Sequence, residues 1–160
     1  MGITCSTDIR EFTRLLQQIE SVVNKNINEA LSYLGEQCTA RIRDRSAEES
    51  WIDHTGNLRS SIGYAVFNQG KTIIESAFES VLGASEGTAE GKRYVSELAS
   101  KYAQVYSLVV VAGMSYADYV EAIDSKDVLA STSVWAASKV NEYLSMAQKK
   151  SEQEINKMLK

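Results

Sequence analysis

The sequence predicts an α+β protein in which a small, mainly antiparallel sheet packs against long N- and C-terminal helices. Apolar residues recur every three or four positions over residues 8–45 and again over 131–159, which is the spacing of amphipathic helices. Between these stretches, residues 55–130 contain short apolar segments with the alternation of β-strands. The 160 residues have the length of a single domain, 1–160, and 44% of them are hydrophobic, enough for a buried core.

The N-terminal helix is expected to begin at Asp8, which with Glu11 resembles a capping box. Gly35 lies inside it and costs about 1 kcal/mol relative to alanine, so a kink or break is expected there. A stripe this long needs a partner helix in the same chain or in a neighbouring subunit. Its members are Ile9, Phe12, Leu16, Ile19, Val23, Ile27, Ala30, Leu31, Leu34, Cys38 and Ile42.

Three arginines, Arg41, Arg43 and Arg45, lie at the end of this helix. Cations there complement the negative end of the helix dipole, which is the favoured interpretation. The alternative is a contact to DNA phosphate or to an acidic neighbouring protein.

The segment Thr55 to Phe67 couples a helical turn to a strand. The hydroxyl of Thr55 is predicted to cap a turn over residues 57–61. In the strand that follows, even-numbered side chains are expected on one face and odd-numbered ones on the other. A turn at residues 68–71 then leads into a second strand, 71–78, to form a hairpin.

The middle of the chain is predicted to alternate between loop, helix and strand. Residues 79–91 are rich in Glu, Ser and Gly and are expected to form a mobile loop. Residues 92–105 regain helical spacing. The run 108–112 is apolar on both faces, which predicts a central strand. Ser115 is then expected to cap a short helix, and Val128-Leu129 to form a brief strand.

The C-terminal helix is predicted from about residue 131 nearly to the chain end, and its last turns are expected to project from the body. Its apolar stripe consists of Val134, Ala137, Val140, Leu144, Ala147 and Ile155. Of the residues in the sheet region, we expect six to be largely buried, because their periodicity serves packing: Leu58, Ile62, Val109, Val111, Tyr116 and Val120.

Two motifs, Thr-Gly-Asn-Leu-Arg-Ser-Ser before a hairpin and Tyr-Ala-Asp-Tyr-Val-Glu after a later strand, occur here in that order. In this order and layout the chain resembles the tail-completion (neck, head–tail joining) proteins of tailed bacteriophages. Family members often continue with a Gly-rich turn and an Arg-Pro-Phe segment, whereas this chain has no proline. The positions that match the family motifs are Thr55, Gly56, Asn57, Leu58, Arg59, Ser61, Tyr116, Ala117, Tyr119, Val120 and Glu121.

The resemblance implies a structural virion protein, a subunit of an oligomeric ring at the portal–tail junction, assembled in the host cytoplasm. Its expected partners are identical subunits, the portal or adaptor, and tail proteins, with DNA passing through the ring without sequence-specific binding. The resemblance implies no reaction, no cofactor and no membrane. The alternative is a non-enzymatic peripheral adaptor or binding protein, lipidated if Gly2 is acylated, since Met1 to Ser6 fits the N-myristoylation pattern.

Composition and motifs argue against several other classes. A net charge of −4 and a pI near 5.1 are unlike a dedicated nucleic-acid binder. Two cysteines, Cys5 and Cys38, make neither a disulfide framework nor a metal site, and Cys38 is expected in the core. No apolar run of about 18 residues spans a membrane, and the N-terminus lacks the apolar core of a secretion signal.

A catalytic interpretation has little support in the sequence. Residues 83–87 match the G-x-S-x-G nucleophile elbow, but no histidine follows them, and the one histidine, His54, lies upstream. Asp124 and Asp127 lack the glycine and terminal glutamate of a calcium loop. Carboxylates such as Glu75, Glu79 and Asp118 are not singled out as a catalytic pair. We therefore predict no catalytic, cofactor-binding or metal-binding residues.

Overall fold

The structure is a computed structural model that describes residues 8–48, 50–102, 106–123 and 126–160. It confirms the α+β fold, with long terminal helices and a small antiparallel sheet. The elements in these residues are, in chain order, α1 (Ile9–Arg43), α2 (Asn57–Ser60), β1 (Ile62–Asn68), β2 (Lys71–Glu75), α3 (Ser85–Leu98), a 3₁₀ turn (Ala99–Tyr102), β3 (Tyr106–Ala112), α4 (Ala117–Ala122) and α5 (Ala130–Met158).

The two long helices, α1 and α5, pack against each other in antiparallel directions. As the residue number increases along α1, the number of the residue that it contacts on α5 decreases. The contacts are Asn26–Ser151, Glu29–Lys150, Tyr33–Tyr143 and Arg41–Trp135. Continued to the C-terminus, this pairing places residue 160 beside about residue 17 of α1. The first turns of α1 therefore extend beyond the end of α5. The predicted partner helix for the N-terminal stripe is therefore in the same chain.

The sheet has the strand order β2-β1-β3, and both pairings are antiparallel. The prediction that residues 108–112 form the central strand is wrong, because β1 is central and β3 lies at an edge. The apolar run of β3 has another cause. Helices cover parts of both its faces, so both sets of its alternate side chains pack against apolar neighbours.

The predicted alternation along β1 is confirmed. Tyr64 and Val66 pack with Leu31 of α1 on one face of the sheet. Ala65 and Phe67 pack on the opposite face in a cluster that includes Val95 of α3 and Val111 of β3. A third cluster, at the Ile62 end of the sheet, joins the end of α1 to α4 and the start of α5.

The helix α1 runs without a break through Gly35, so the expected break near this residue is wrong. The reason for the glycine is a close approach by the sheet. A Cβ at this position would lie 2.4 Å from Cδ2 of the Tyr64 ring. Tyr64 therefore takes the space that a side chain would need, and its hydroxyl hydrogen bonds to Ser32 of α1 at 2.7 Å.

The expectation of a mobile loop over residues 79–91 is wrong for its second half, since α3 begins at Ser85. Its two buried glycines permit close packing. A Cβ at Gly87 would lie 2.1 Å from the carbonyl oxygen of Asn57, and one at Gly91 would lie 2.4 Å from the ring of Phe78. Glycine here reflects tertiary contact, which local composition does not show.

Several predicted boundaries also differ. The strand β2 ends at Glu75 rather than at residue 78. Val128 and Leu129 form a bend in place of the predicted strand. The helix α4 begins at Ala117 with no side-chain hydrogen bond at its N-cap, so the predicted capping by Ser115 is wrong.

Candidate interaction surface

A cleft runs along the outer edge of β3, and we call it the β3 cleft. Its floor is the strand edge from Tyr106 to Val110, whose residues are half-buried although they belong to an edge strand. Its walls are α3 and α4 on one side and α1 and α5 on the other. At the Ala112 end, Val128 and Leu129 close it.

Backbone groups of β3 point into this cleft. The N–H of Gly113 donates to the carbonyl of Ser61 at 3.1 Å, and such bonds recur at every second residue of an antiparallel pair. The intervening residues, Leu108 and Val110, therefore direct their N–H and C=O groups away from β1. In the described part of the chain, no strand pairs with this side of β3. Unpaired groups at this spacing match the backbone of another extended segment.

The wall formed by α3 and α4 is mixed in polarity and bounds a cavity of about 450 Å³. Tyr94, Leu98 and Tyr102 give its apolar part. Its charged part contains Arg93 on α3, which is ion-paired with Glu90 and Glu97. Asp118 and Glu121 of α4 face the same cavity.

The wall formed by α1 and α5 is mainly apolar, with Thr132 and Ser133 as polar residues near its closed end. Two adjoining cavities of about 490 and 280 Å³ lie between these helices and β3. Leu108 lines both cavities. The residues that α5 contributes to the larger one are Ala136, Ala137, Val140 and Leu144.

Only part of the apolar stripe predicted for the C-terminal helix packs against α1. Ala147 is buried against α1, as predicted, together with Ser151, but Val134 is 73% exposed. Ala137 and Leu144 face the β3 cleft rather than the core. The stripe therefore gives α5 a second apolar face beside the one that packs on α1.

The other edge of the sheet, β2, has a different character. Its side chains are mostly exposed, and charged residues, Lys71 and Glu75, stand at its two ends. The pairing with β1 shifts register between Val66 and Phe67, which marks a β-bulge. Along its open edge β3 has neither a charged side chain nor a bulge, so an incoming strand meets an uninterrupted row of backbone groups there.

Residues of the first motif make contacts within the fold. Leu58 is in the core. The side-chain amide of Asn57 donates to Glu86 at 2.8 Å, which connects α2 to α3. Arg59 stacks on the ring of Trp51 at 5.0 Å and lies 3.5 Å from Asp53. The hydroxyl of Thr55 accepts from the N–H of Asn57 at 3.3 Å, as predicted, but the N-cap of α2 is the buried Gly56, with a φ of 78° and no side-chain hydrogen bond.

The structure brings the second motif next to the first. Burial and the carboxylate of Asp53 raise the pKa of the Tyr116 phenol above its ordinary value, and a hydrogen bond with Thr55 opposes them. Tyr116 is nevertheless 39% exposed, so the prediction that it is buried is wrong, and Tyr119 is exposed as well. The buried member of this motif is Ala117.

The other burial predictions divide into two groups. Leu58, Ile62 and Val111 are buried, as predicted. Val109 and Val120 are only partly buried, and Val109 lines the β3 cleft.

Glu121, the last residue of the second motif, caps α5. Its carboxylate accepts the backbone N–H groups of Val128 at 3.1 Å, Leu129 at 2.7 Å and Ala130 at 3.2 Å. These groups have no partner inside the helix, and a negative charge there also matches the helix dipole. The motif match included Glu121, but this capping role was not predicted from the sequence.

The three arginines at the end of α1 bind groups of this chain. Arg41 lies over the ring of Trp135 at 5.3 Å, and Arg43 donates to the carbonyl of Glu79 at 2.7 Å. Arg45 is ion-paired with Asp127 at 2.6 Å. Burial raises the pKa of the Asp127 carboxyl, but hydrogen bonds from Ser131 and Arg45 outweigh it, so the pKa lies below its ordinary value. Neither the dipole interpretation nor the phosphate alternative predicted these contacts.

The residues considered for catalysis are not assembled into a site. Ser85 of the G-x-S-x-G match is the exposed first residue of α3, and irregular residues 76–84 precede it instead of a strand. His54 is exposed. Glu75 and Glu79 line a surface groove of mixed polarity beside β2, away from Asp118 in the β3 cleft. In the described ranges, no three metal-ligating side chains cluster.

Some predictions concern residues outside the described ranges. These are the lipidation of Gly2, any role of Cys5, the last residues of the helix expected over 92–105, and the surroundings of Asp124, for which no calcium loop was predicted. Cys38 is fully buried, as predicted, and burial raises the pKa of its thiol. The described helices include none with the length and hydrophobicity needed to cross a lipid bilayer.

Comparisons of the chain with protein-family models, with curated proteins and with solved structures found no match. The resemblance of the two motifs to tail-completion proteins therefore stays a prediction from the sequence.

Proposed function

We propose that the protein is a structural subunit of an oligomeric ring at the portal–tail junction, or neck, of a tailed phage. In this role it joins head and tail within the virion, after assembly in the host cytoplasm. The observation that carries the proposal is the β3 cleft, because an unpaired strand edge between apolar walls is suited to binding another polypeptide. The two motifs of the sequence supply the identity of the assembly.

A second exposed apolar surface supports a subunit with several neighbours. Ile9, Phe12 and Leu16 are 77%, 53% and 49% exposed on the turns of α1 that extend beyond α5. Leu159, at the end of α5, is exposed nearby along the helix pair. Apolar surface of this kind marks contact sites between proteins. A neck subunit needs such sites for identical copies, for the portal or adaptor, and for tail proteins.

The proposed work is recognition without a reaction or a cofactor. In both motifs, the described polar contacts stabilise the fold, as with Asn57, Arg59 and Glu121. Arg41, Arg43 and Arg45 are held by groups of the same chain. With a net charge of −4, the subunit is suited to let DNA pass through the ring without sequence-specific binding.

Deletion of the gene in the phage that encodes the protein tests this function. We expect lysates with DNA-filled heads and separate tails, seen by electron microscopy, and a loss of infectious particles. A plasmid copy of the wild-type gene should restore joined virions. Joined and infectious particles from the deletion strain would refute the proposal.

A further inference from the structure

We propose that the β3 cleft binds the β2 edge of a second copy, so that neighbouring subunits share one continuous sheet. This inference rests on the proposed ring and names the contact between its identical subunits. The two strand edges are complementary in shape, length, polarity and direction.

The two edges of the sheet are complementary in shape. β3 is recessed between two pairs of helices, and its residues are half-buried or buried. β2 protrudes, with four of its five residues exposed and Ile73 42% exposed. A protruding strand can enter a recessed edge without displacing its walls, whereas two recessed β3 edges would bring four walls into collision.

β2 also fits within the length of the open edge. Its five residues, Lys71–Glu75, contain the bulge and lie opposite four residues of β1, which pair on their other side with Tyr106 to Val109. The open part of β3 spans Tyr106 to Val110, since Val128 and Leu129 close the Ala112 end. The β1–β2 turn of the second copy would lie at the open end of the cleft, because Lys71 and Tyr106 both pair with Asn68.

The faces of the two edges agree in polarity. Ile74 pairs with Val66 and so belongs to the α1 face of the sheet. In a continuous sheet it would meet the apolar wall at Leu108. Glu75 pairs with Ala65 and belongs to the α3 face, where the opposing wall has the charged residue Arg93. A β2 edge therefore presents an apolar side chain to the apolar wall and a polar one to the mixed wall.

A contact between two different edges, with the strand directions found here, favours a ring over a closed pair. β2 and β3 are both antiparallel to β1, so they run parallel to each other. A β2–β3 contact is heterologous and leaves one free edge of each type at the ends of the assembly, so a rotation can close it into a ring. Thr72 and Ser107 both pair with Phe67, which sets them at one level and on one face. Thr72 of one copy is thus expected beside Ser107 of the next.

Cysteine cross-linking tests this contact in the purified full-length chain. The double variant Thr72→Cys/Ser107→Cys is made with Cys5→Ser, while Cys38 is kept because it is fully buried. A short bis-maleimide should then give a ladder of covalent dimers, trimers and larger species on denaturing gels. Each single-cysteine variant should stay monomeric under the same conditions.

Two further substitutions in the double-cysteine background disrupt the two sides of the contact separately. Ile73→Asp puts a carboxylate on the protruding edge, and Val110→Pro removes an N–H that points into the cleft. Each should reduce the ladder by about tenfold or more, because a buried charge or a lost strand bond opposes association. Val134→Asp is the matched control, since this residue is 73% exposed outside the cleft, and it should leave the ladder unchanged. Circular dichroism and thermal melting verify that each variant is folded.

Three outcomes would overturn the inference. Dimers from Ser107→Cys alone would show an isologous β3–β3 contact. A ladder that persists in folded Ile73→Asp and Val110→Pro variants would place the contact elsewhere. A double variant that gives no ladder, either purified or in phage particles, would mean that the cleft does not bind a second copy but an extended segment of another protein. The deletion phenotype tests the neck function independently of all three.

Discussion

Ser61 shows how one side chain of the first motif organises its surroundings. Its hydroxyl donates to the carbonyl of Leu58 at 2.8 Å. It also accepts the N–H groups of Gly113 at 3.1 Å and of Met114 at 3.3 Å. The N–H of Gly113 also donates to the Ser61 carbonyl at 3.1 Å, so this donor is shared between the two oxygens of Ser61. The hydroxyl is fully buried and provides the acceptor for the N–H of the buried Met114. One serine thus connects α2 to the end of β3, where the segment leading to the second motif begins.

Gly35 gives a prediction at the residue scale, because two physical effects oppose each other there. Helix propensity alone predicts that Gly35→Ala stabilises α1 by about 1 kcal/mol. The Tyr64 ring, 2.4 Å from the position of a new Cβ, predicts overpacking instead. We expect packing to dominate and the free energy of unfolding to fall by about 1–3 kcal/mol in urea denaturation.

Gln37→Ala is the control for this prediction, since Gln37 is an exposed residue of the same helix. It should change the free energy of unfolding by no more than about 0.5 kcal/mol. A Gly35→Ala protein more stable than the parent would mean that Tyr64 can move away without cost.

At the scale of elements, the start of α5 is held from outside the helix. Leu129, at its N-cap, has no oxygen in its side chain, and no side-chain hydrogen bond is formed from that position. Glu121 of α4 supplies the acceptor for three N–H groups. Arg45, just after α1, holds Asp127 and Ser131 at the same place. Helices α1, α4 and α5 therefore meet at one polar junction beside the closed end of the β3 cleft.

This junction predicts the effect of removing the cap. Glu121→Ala should lower the free energy of unfolding by about 1–2 kcal/mol, because the N-terminal N–H groups of α5 lose their acceptor. Thermal and urea unfolding measure the change. Asp118→Ala in the same helix removes an exposed carboxylate and should be close to neutral. Equal destabilisation by the two substitutions would argue that Glu121 contributes only general charge.

At the scale of the whole molecule, the pairing of α1 with α5 joins the two ends of the chain. Asn26 donates to the Ser151 hydroxyl at 3.1 Å across a separation of 125 residues. Both residues are buried, and the Asn26 Oδ1 atom has no partner within the described residues. A buried polar pair between apolar helix faces disfavours other registers, although it adds little stability.

Substitutions in this pair should show that removing one polar partner costs stability, whereas removing both does not. Ser151→Ala leaves the Asn26 amide unpaired and should cost about 1–3 kcal/mol of unfolding free energy. The double variant Asn26→Leu/Ser151→Ala removes both polar groups and should be neutral or stabilising. Ser145→Ala is a matched control, because Ser145 is exposed and, like Ser151, donates to the carbonyl four residues earlier. A double variant less stable than Ser151→Ala would contradict this account.

Much of the architecture follows from local pattern in the chain. The three- and four-residue spacing of apolar side chains predicts α1 and α5, and the alternation from Ile62 to Phe67 predicts the two faces of β1. These properties depend on residues close together in the sequence, where helix and strand geometry determine which side chains share a face. The motif positions were also identifiable, although their contacts were not.

Contacts between distant residues were decided only by the tertiary structure. The close approach of Asn57 explains Gly87, one of the two buried glycines of α3, and the packing of helices on both faces explains an apolar strand at the sheet edge. The β3 cleft likewise depends on how four helices, α1, α3, α4 and α5, pack around the open edge of β3. A strand buried on both faces has the same local pattern at the edge or in the centre of a sheet, because its hydrogen-bond partners come from remote parts of the chain.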